Sequence, residues 1–331
     1  MLDINTPLKR NIKSPADALK RSKRLVIPTL GLSLKRFSVF PRYCHIQHTQ
    51  LSQGKFCGDR TLLAANGVSG LKSTANLSYM LQVSILCPQK FIFGFVAPQG
   101  TLFLNGRKIT DHDIFVLKAD ALYDMVVTQN TTLFAFSIED IDSTNHEDQK
   151  TKNSLINTLN QRLISPSSDS QQPFLTLTRN DLRDALIKQF DDSTTTPPLS
   201  VFELSAQLLN SSNSSLYRPN SRNNLLLRTL RLMQAQPFAF RKISDVAQAC
   251  HVSQRGLEKA FDDVLNGSPG EYLKAIQLNR YRSAIIQNAD NLKLSLADIA
   301  GQLGAVNYSR LSKDYKSFFE QLPSNTRRRL E

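Results

Sequence analysis

Between Ile243 and Phe261 the chain reads ISDVAQACHVSQRGLEKAF. Four long polar side chains in it, Gln254, Arg255, Glu258 and Lys259, are spaced to share the outer face of a short helix. Such residues suit hydrogen bonding to DNA base edges: Arg or Lys to guanine, Gln to adenine, Glu to the cytosine amino group. Further along, LADIAGQLGAVNYSRLSKDY (296–315) repeats the phrase, with Tyr308, Ser309, Arg310, Ser312 and Lys313 in the outward places. Lys259 and Lys313 fall at equivalent positions, each two residues after an inward leucine, Leu257 or Leu311.

Other residues suggest other chemistry more weakly. Cys44, His45, His48 and Cys57 have ligand types that suit zinc. On strands and turns, however, neighbouring side chains point to opposite faces, which argues against a shared metal. His112 lies between Asp111 and Asp113 with no nucleophile motif beside it, and neither a GxGxxG nor a P-loop occurs. No catalytic residue, metal ligand or cofactor is therefore assigned. Tyr79, Tyr123 and the Phe-rich strands suit either barrel core or the wall of a ligand cavity, which leaves effector-binding residues unknown. Arg327, Arg328 and Arg329 read equally as a phosphate-contacting tail or a solvated end.

Each outward set needs a pair of helices behind it. In the first unit (243–265) Ile243, Val246 and Ala247 form the inward face of a short helix, and Ala247 permits a close crossing. Ser253 is placed to cap the next helix, whose inward stripe is Leu257, Ala260 and Phe261. In the second unit (296–319) Leu296, Ile299 and Ala300 match, the turn LGAVN (303–307) is one residue longer, and Leu311 and Tyr315 face inward. Between them NGSPGEYLKAIQLNRYRSAIIQN (266–288) predicts a long helix that starts at Ser268-Pro269. Two reading heads on one DNA face should sit roughly 34 Å apart, one helical turn.

Charge agrees with this placement. Residues 1–36 and 222–331 each carry a net +7, whereas 37–221 carry −1. A neutral body with basic ends implies an anionic partner at the ends, double-stranded DNA before a membrane surface. No run of about 18 apolar residues suggests a membrane span, no apolar segment follows the basic N-terminus as in a signal peptide, and four cysteines do not make a disulfide scaffold. A soluble, cytoplasmic, nucleoid-associated protein is expected.

The N-terminal half reads differently. SYMLQVSIL (78–86), FIFGFV (91–96), TLFLNG (101–106), DIFVLK (113–118), YDMVVT (123–128) and TLFAFSI (132–138) have strand length and composition. Turn residues such as Asn105-Gly106 separate them, which predicts a small antiparallel barrel or sandwich. Amphipathic segments at 154–163, 178–190 and 201–209 predict flanking helices. The expected layout is a basic, flexible leader (1–24), a β-rich regulatory domain with a helical end (25–210), a linker (211–224) and an all-helical DNA-binding domain (225–331).

GSPGEYL (267–273) and ADIAGQLG (297–304) resemble the AraC/XylS family of bacterial transcription regulators, over about the last third of the chain. Less specifically, 102–126 is similar to the cupin-like sensor domain of the branch that contains the ethanolamine-utilisation regulators. The resemblance implies an α+β multidomain protein: a cupin-like barrel with flanking helices, then two helix-turn-helix units bridged by a long helix. It implies DNA reading in adjacent major grooves through the residues named above, and activation through RNA polymerase. It also implies control by a small-molecule effector or by homodimerisation. His251 stands where the family has Gly in the first turn, which predicts some strain there; Ala305 replaces an aromatic and Glu320 and Thr326 replace a Gly and a Tyr, which predicts a looser second unit. Two alternatives remain: a cupin-like small-molecule binder whose basic half serves assembly, and a cupin-type enzyme, for which the chain's five histidines supply no metal triad.

Overall fold

A computed structural model of the chain describes residues 24–28, 44–65, 68–86, 91–118, 121–138, 150, 153–154, 157, 174–178, 180–188, 190, 214–217 and 220–328. Two antiparallel sheets form the N-terminal half. The larger runs β1 (Arg24–Pro28), β3 (Gly58–Ala65), β4 (Val68–Ala75), β11 (Thr132–Ile138), β6 (Phe91–Val96), β9 (Asp113–Lys118), β12 (Phe174–Thr178) and β13 (Ser214–Tyr217). The smaller runs β2 (Cys44–Gln50), β5 (Tyr79–Ile85), β10 (Leu122–Val127), β7 (Leu102–Leu104) and β8 (Arg107–Ile109).

All six expected strands form, as β5, β6, β7, β9, β10 and β11. Period-2 alternation explains their packing. Leu81, Val83, Leu102, Leu104, Phe115, Leu117, Met125 and Leu133 fill the space between the sheets. Gly94 lies there because a Cβ would come within 2.5 Å of the Phe134 carbonyl and 2.6 Å of the Phe115 ring. The opposite-parity residues Phe93, Phe95, Phe134 and Phe136 stack on the outer face of the larger sheet. Phe190 covers them edge-on, just past helix α1 (Asn180–Lys188), which buries Leu182 and Leu186. That is the helix expected at 178–190. The segment 201–209 and most of 154–163 lie outside the described residues, as does the basic leader up to residue 23.

The hairpin between β7 and β8 turns on Asn105-Gly106 alone, with Leu104 paired to Arg107. Both turn residues have positive φ, 46° and 80°, the type I′ geometry that Asn-Gly favours.

The helical half comprises α2 (Ser221–Ala235), α3 (Ile243–Ala249), α4 (Gln254–Leu265), α5 (Pro269–Gln287), α6 (Leu296–Gln302), α7 (Tyr308–Phe319) and α8 (Pro323–Arg328). The stretch expected as a linker, 211–224, departs from that reading. Ser214–Tyr217 pair with β12, and α2 begins at Ser221 with Asn220 accepting a hydrogen bond from the Asn223 amide at 2.9 Å. Asn223 in turn donates to the Tyr217 hydroxyl. Ser and Asn mark flexible loops by composition, but they are also the residues that cap helices.

α2 joins the halves. Met80, Val126 and Phe103 are neighbours across β5, β10 and β7 and point away from the barrel interior. They share one buried cluster with Leu226, Leu230 and Met233 of α2 and with the core of the first helix-turn-helix unit. Beside them Asp124, almost wholly buried, accepts from Arg231 Nε at 2.9 Å and from Gln82 Nε2 at 2.7 Å. Burial pushes the Asp124 carboxyl above its ordinary range, although the Arg231 charge pulls the other way.

Candidate nucleic-acid interface

The two units are built alike, residue by residue. Val246 and Ala247 of α3 are buried, as are Ile299 and Ala300 of α6. Val252 N donates to Ala247 O at 3.0 Å, and Ala305 N donates to Ala300 O at 3.0 Å. The residue that turns the chain is His251 in the first unit (φ 55°) and Gly304 in the second (φ 88°). A left-handed backbone is the reason glycine is the usual choice there, and His251 bears a modest strain in its place. The second turn is one residue longer, as expected: 250–253 against 303–307.

Caps start the helices where the sequence placed them. Ser253 Oγ accepts from Gly256 N at 3.1 Å, and Ser268 Oγ accepts from Glu271 N while Glu271 accepts from Ser268 N, with Pro269 in the first turn. At the second unit Ser295 Oγ accepts from Asp298 N, and Asp298 accepts from the Ser295 amide and hydroxyl. Those two bonds hold the Asp298 carboxyl below its ordinary value. In Ser295→Ala the loss of the cap should cost about 1 kcal/mol, read as a lower urea midpoint at neutral pH. Because the folded pKa of Asp298 is depressed, its contribution is present above the ordinary Asp value and fades as pH falls through the folded one. The gap between the two proteins should therefore narrow in acid.

The outward residues divide into two groups. Gln254, Arg255, Glu258 and Lys259 are exposed along α4, and Gln254 Nε2 donates to Glu258 Oε1 at 2.8 Å. Ser309, Arg310 and Lys313 are exposed on α7. Ser312 is half-buried. Tyr308 departs from the expected outward position: it is half-buried and packs on the second unit's core. A helix's first turn leans toward whatever lies before it, here the aromatic side of α5 at Tyr281. Arg310 is also partly compensated, its Nε lying 3.9 Å from Asp314, which is bound by Lys274 Nζ of α5 at 2.8 Å. Among the described residues Arg255, Lys259 and Lys313 form no ion pair.

α5 carries both units. Its 19 residues span roughly 28 Å at about 1.5 Å per residue, comparable to one turn of DNA. Tyr272, Leu273 and Ile276 pack with the first unit, Leu278, Tyr281 and Ile285 with the second. The looser second unit expected from Glu320 and Thr326 is not seen. Tyr315 and Phe319 are buried, the Tyr315 hydroxyl lies 2.7 Å from Thr326 Oγ1, and Glu320 takes the left-handed cap at φ 52°. Arg327, expected as part of a phosphate-contacting tail or a solvated end, does something else: its Nη2 donates to the carbonyls of Leu294 (2.6 Å), Asn291 and Asn288, tying down the loop before α6.

The remaining candidates lie apart from this face. Alternation along β2 sends His45 outward, while His48 Nε2 sits 3.3 Å from Arg60. Among the described residues no group of three or more His, Cys, Asp or Glu is arranged for a metal ion. His112 is exposed, near Asp111 and Asn180. Tyr123 is a core residue whose hydroxyl accepts from Lys118 N, whereas Tyr79 lines a cavity between the sheets.

Residues 246–329 match a family described as a helix-turn-helix domain. The Msm operon regulatory protein of Streptococcus mutans is 28% identical over 90 residues, 27% of this chain and 31% of that protein's length. Among solved structures, an AraC-type DNA-binding-domain regulator from Chromobacterium violaceum is 26% identical over 32% of this chain and 91% of its own, with a TM-score of 0.28. The AraC-like transcriptional activator CuxR covers 86% of this chain and all of its own at 9% identity and a TM-score of 0.35. ToxT of Vibrio cholerae covers 86% and 98% at 13% identity and 0.29. Residues 246–329, with their two matching helix-turn-helix units, are the part of the chain that is similar to the helix-turn-helix family and to these regulators.

Proposed function

We propose that the protein is a transcription regulator that reads two adjacent major grooves through α4 and α7. The observation that carries this reading is the residue-by-residue equivalence of the two units on one bridging helix, both with exposed basic side chains. Gln254, Arg255, Glu258 and Lys259 supply direct readout from the first unit, and Ser309, Arg310, Ser312 and Lys313 from the second. Tyr308 contributes through the seating of α7 rather than through an outward side chain. The first unit carries more of the specificity, because among the described residues Arg255 and Lys259 form no ion pair while Arg310 shares Asp314.

The net +7 of residues 222–331 supplies the phosphate attraction. Activation through RNA polymerase is the mode the resemblance supports, with the β-rich half as the regulatory domain and either an effector or a second copy as its input. The protein acts as a binder rather than an enzyme, in the cytoplasm; no described helix is long and apolar enough to cross a membrane. The regulatory domain is taken as 25–210 and the DNA-binding domain as 225–331 together with the first turn of α2.

The test is selection of bound fragments from genomic DNA, followed by affinity measurements on a selected and a scrambled site across a salt series. A regulator gives steep salt dependence on both and at least about a thousandfold preference for the selected site. Equal affinity for the two sites would leave only a basic assembly module.

A further inference from the structure

The two helix-turn-helix units differ by one residue in the turn, and the hydrogen bonds identify which one. In the first unit Ser253 caps α4 directly after Val252, whose N–H donates to Ala247 O. In the second Ala305 holds the place of Val252 and donates to Ala300 O at 3.0 Å. The cap on α7, however, is Asn307, whose Oδ1 accepts from Arg310 N at 2.8 Å. Val306 stands between Ala305 and the cap and has no counterpart in the first unit.

Val252 and Ala305 each pack against the core of their own unit. Val306 is instead 76% exposed, the most exposed large apolar side chain among the described residues. A single apolar residue in water is ordinary on a protein surface; the place of this one is not. It precedes the N-terminus of α7, the end at which a recognition helix brings side chains to base edges. Tyr308 is turned toward the core and the Asn307 oxygen is engaged in the cap. Val306, Ser309 and Arg310 are therefore the side chains that lead at this end, all three exposed.

We infer that Val306 is a specificity-determining residue that reads the 5-methyl group of a thymine in the groove entered by α7, an inference that rests on the two-groove reading above. On the major-groove edge thymine presents an acceptor and a methyl group, whereas cytosine presents an amino donor and no methyl. An apolar side chain is what recognises that methyl. The scale matches as well. One valine can cover one methyl, while a protein partner needs a surface of roughly 800 Å². The charges beside it suit DNA too, since the first turn of α7 contains Arg310 and no acidic residue. The two heads thus differ in kind: the first reads through long polar side chains, and the second adds an apolar contact that selects thymine at one position.

The experiment uses the full chain and the DNA site selected as above. Each thymine of the site is replaced in turn by deoxyuridine, which removes the 5-methyl group and leaves the hydrogen-bonding edges in place. One replacement in the half-site read by α7 (the half whose protection Lys313→Ala weakens) should lower the affinity of the parent about fourfold, the value of burying one methyl. Val306→Ala should lose about fourfold or more on the thymine site and bind the thymine and deoxyuridine forms of that position equally. The side chain is exposed, so the substitution leaves the inward stripes of α6 and α7 unchanged. The inference is overturned by a second half-site without thymine, by a parent that no deoxyuridine in that half weakens, or by a sensitive position that stays sensitive in Val306→Ala. A chain that prefers no DNA site refutes the regulatory reading and this inference with it, whereas a chain that selects a site without this coupling refutes the inference alone.

Discussion

Replacing Arg231 with methionine is expected to cost the folded protein about 3 kcal/mol at neutral pH, toward the low end for breaking a buried ion pair because Arg231 keeps part of its surface in water. Methionine fills a similar volume and keeps the contact of α2 with the sheet, so the loss reports the ion pair together with the Arg231 Nη2 bond to the Leu122 carbonyl. Asp124 stays buried, with Gln82 as its remaining side-chain donor and with the Arg231 Nε bond gone. Its folded pKa, already raised by burial, must rise further. The sign of the pH dependence follows. A carboxyl whose folded pKa lies above its unfolded value is least costly below the unfolded value and most costly above the folded one. Urea unfolding of Arg231→Met should therefore approach that of the parent as pH falls through this window. A variant as stable as the parent at pH 7, or a gap that widens in acid, would show that the pair does not fasten the halves together.

Arg255→Ala is expected to lose about 1–3 kcal/mol of discrimination, roughly 5- to 150-fold, on the selected site. Arg255 lies at the start of α4, where a recognition helix brings side chains to base edges, and it is exposed and forms no ion pair among the described residues. On scrambled DNA the same substitution should change affinity little. Equal losses on both would reduce Arg255 to a phosphate contact, with a salt slope smaller by about one. α4 buries its stripe through Leu257, Ala260 and Phe261, so removal of an exposed side chain leaves the fold as a constant in this comparison.

What could be read from residues alone depended on whether the signal was local. The helix-turn-helix units were legible because caps, small crossing residues and inward stripes lie within a few residues of one another: Ser253 before α4, Ser268-Pro269 before α5, Ala247 and Ala300 at the crossings. The six strands with continuous apolar or alternating runs were legible for the same reason. β2, β3 and β4 were not, since CHIQHTQ is mostly polar and GDRTLLAA and VSGLKSTA mix charge and glycine in a way that resembles loops. Their pairing is decided by partners far along the chain.

The same distance hid the functional details. Arg60 looks like a solvated arginine until β3 and β4 close over it, and Asp124 looks like an exposed strand residue until α2 lands on it. Tyr308 read as outward from its place at the head of a helix, but the nearby Tyr281 draws it in. Asn220 and Asn223 read as linker, whereas one caps α2 and the other reaches Tyr217.

The most direct test of paired reading is a footprint of the full chain on its selected site. Protection should fall in two adjacent major grooves, with centres about 10–10.5 base pairs apart on one face of the duplex. Arg255→Ala should weaken one of the two, and a variant lacking the Lys313 charge the other. A single protected groove, or even protection with no face preference, would contradict the account.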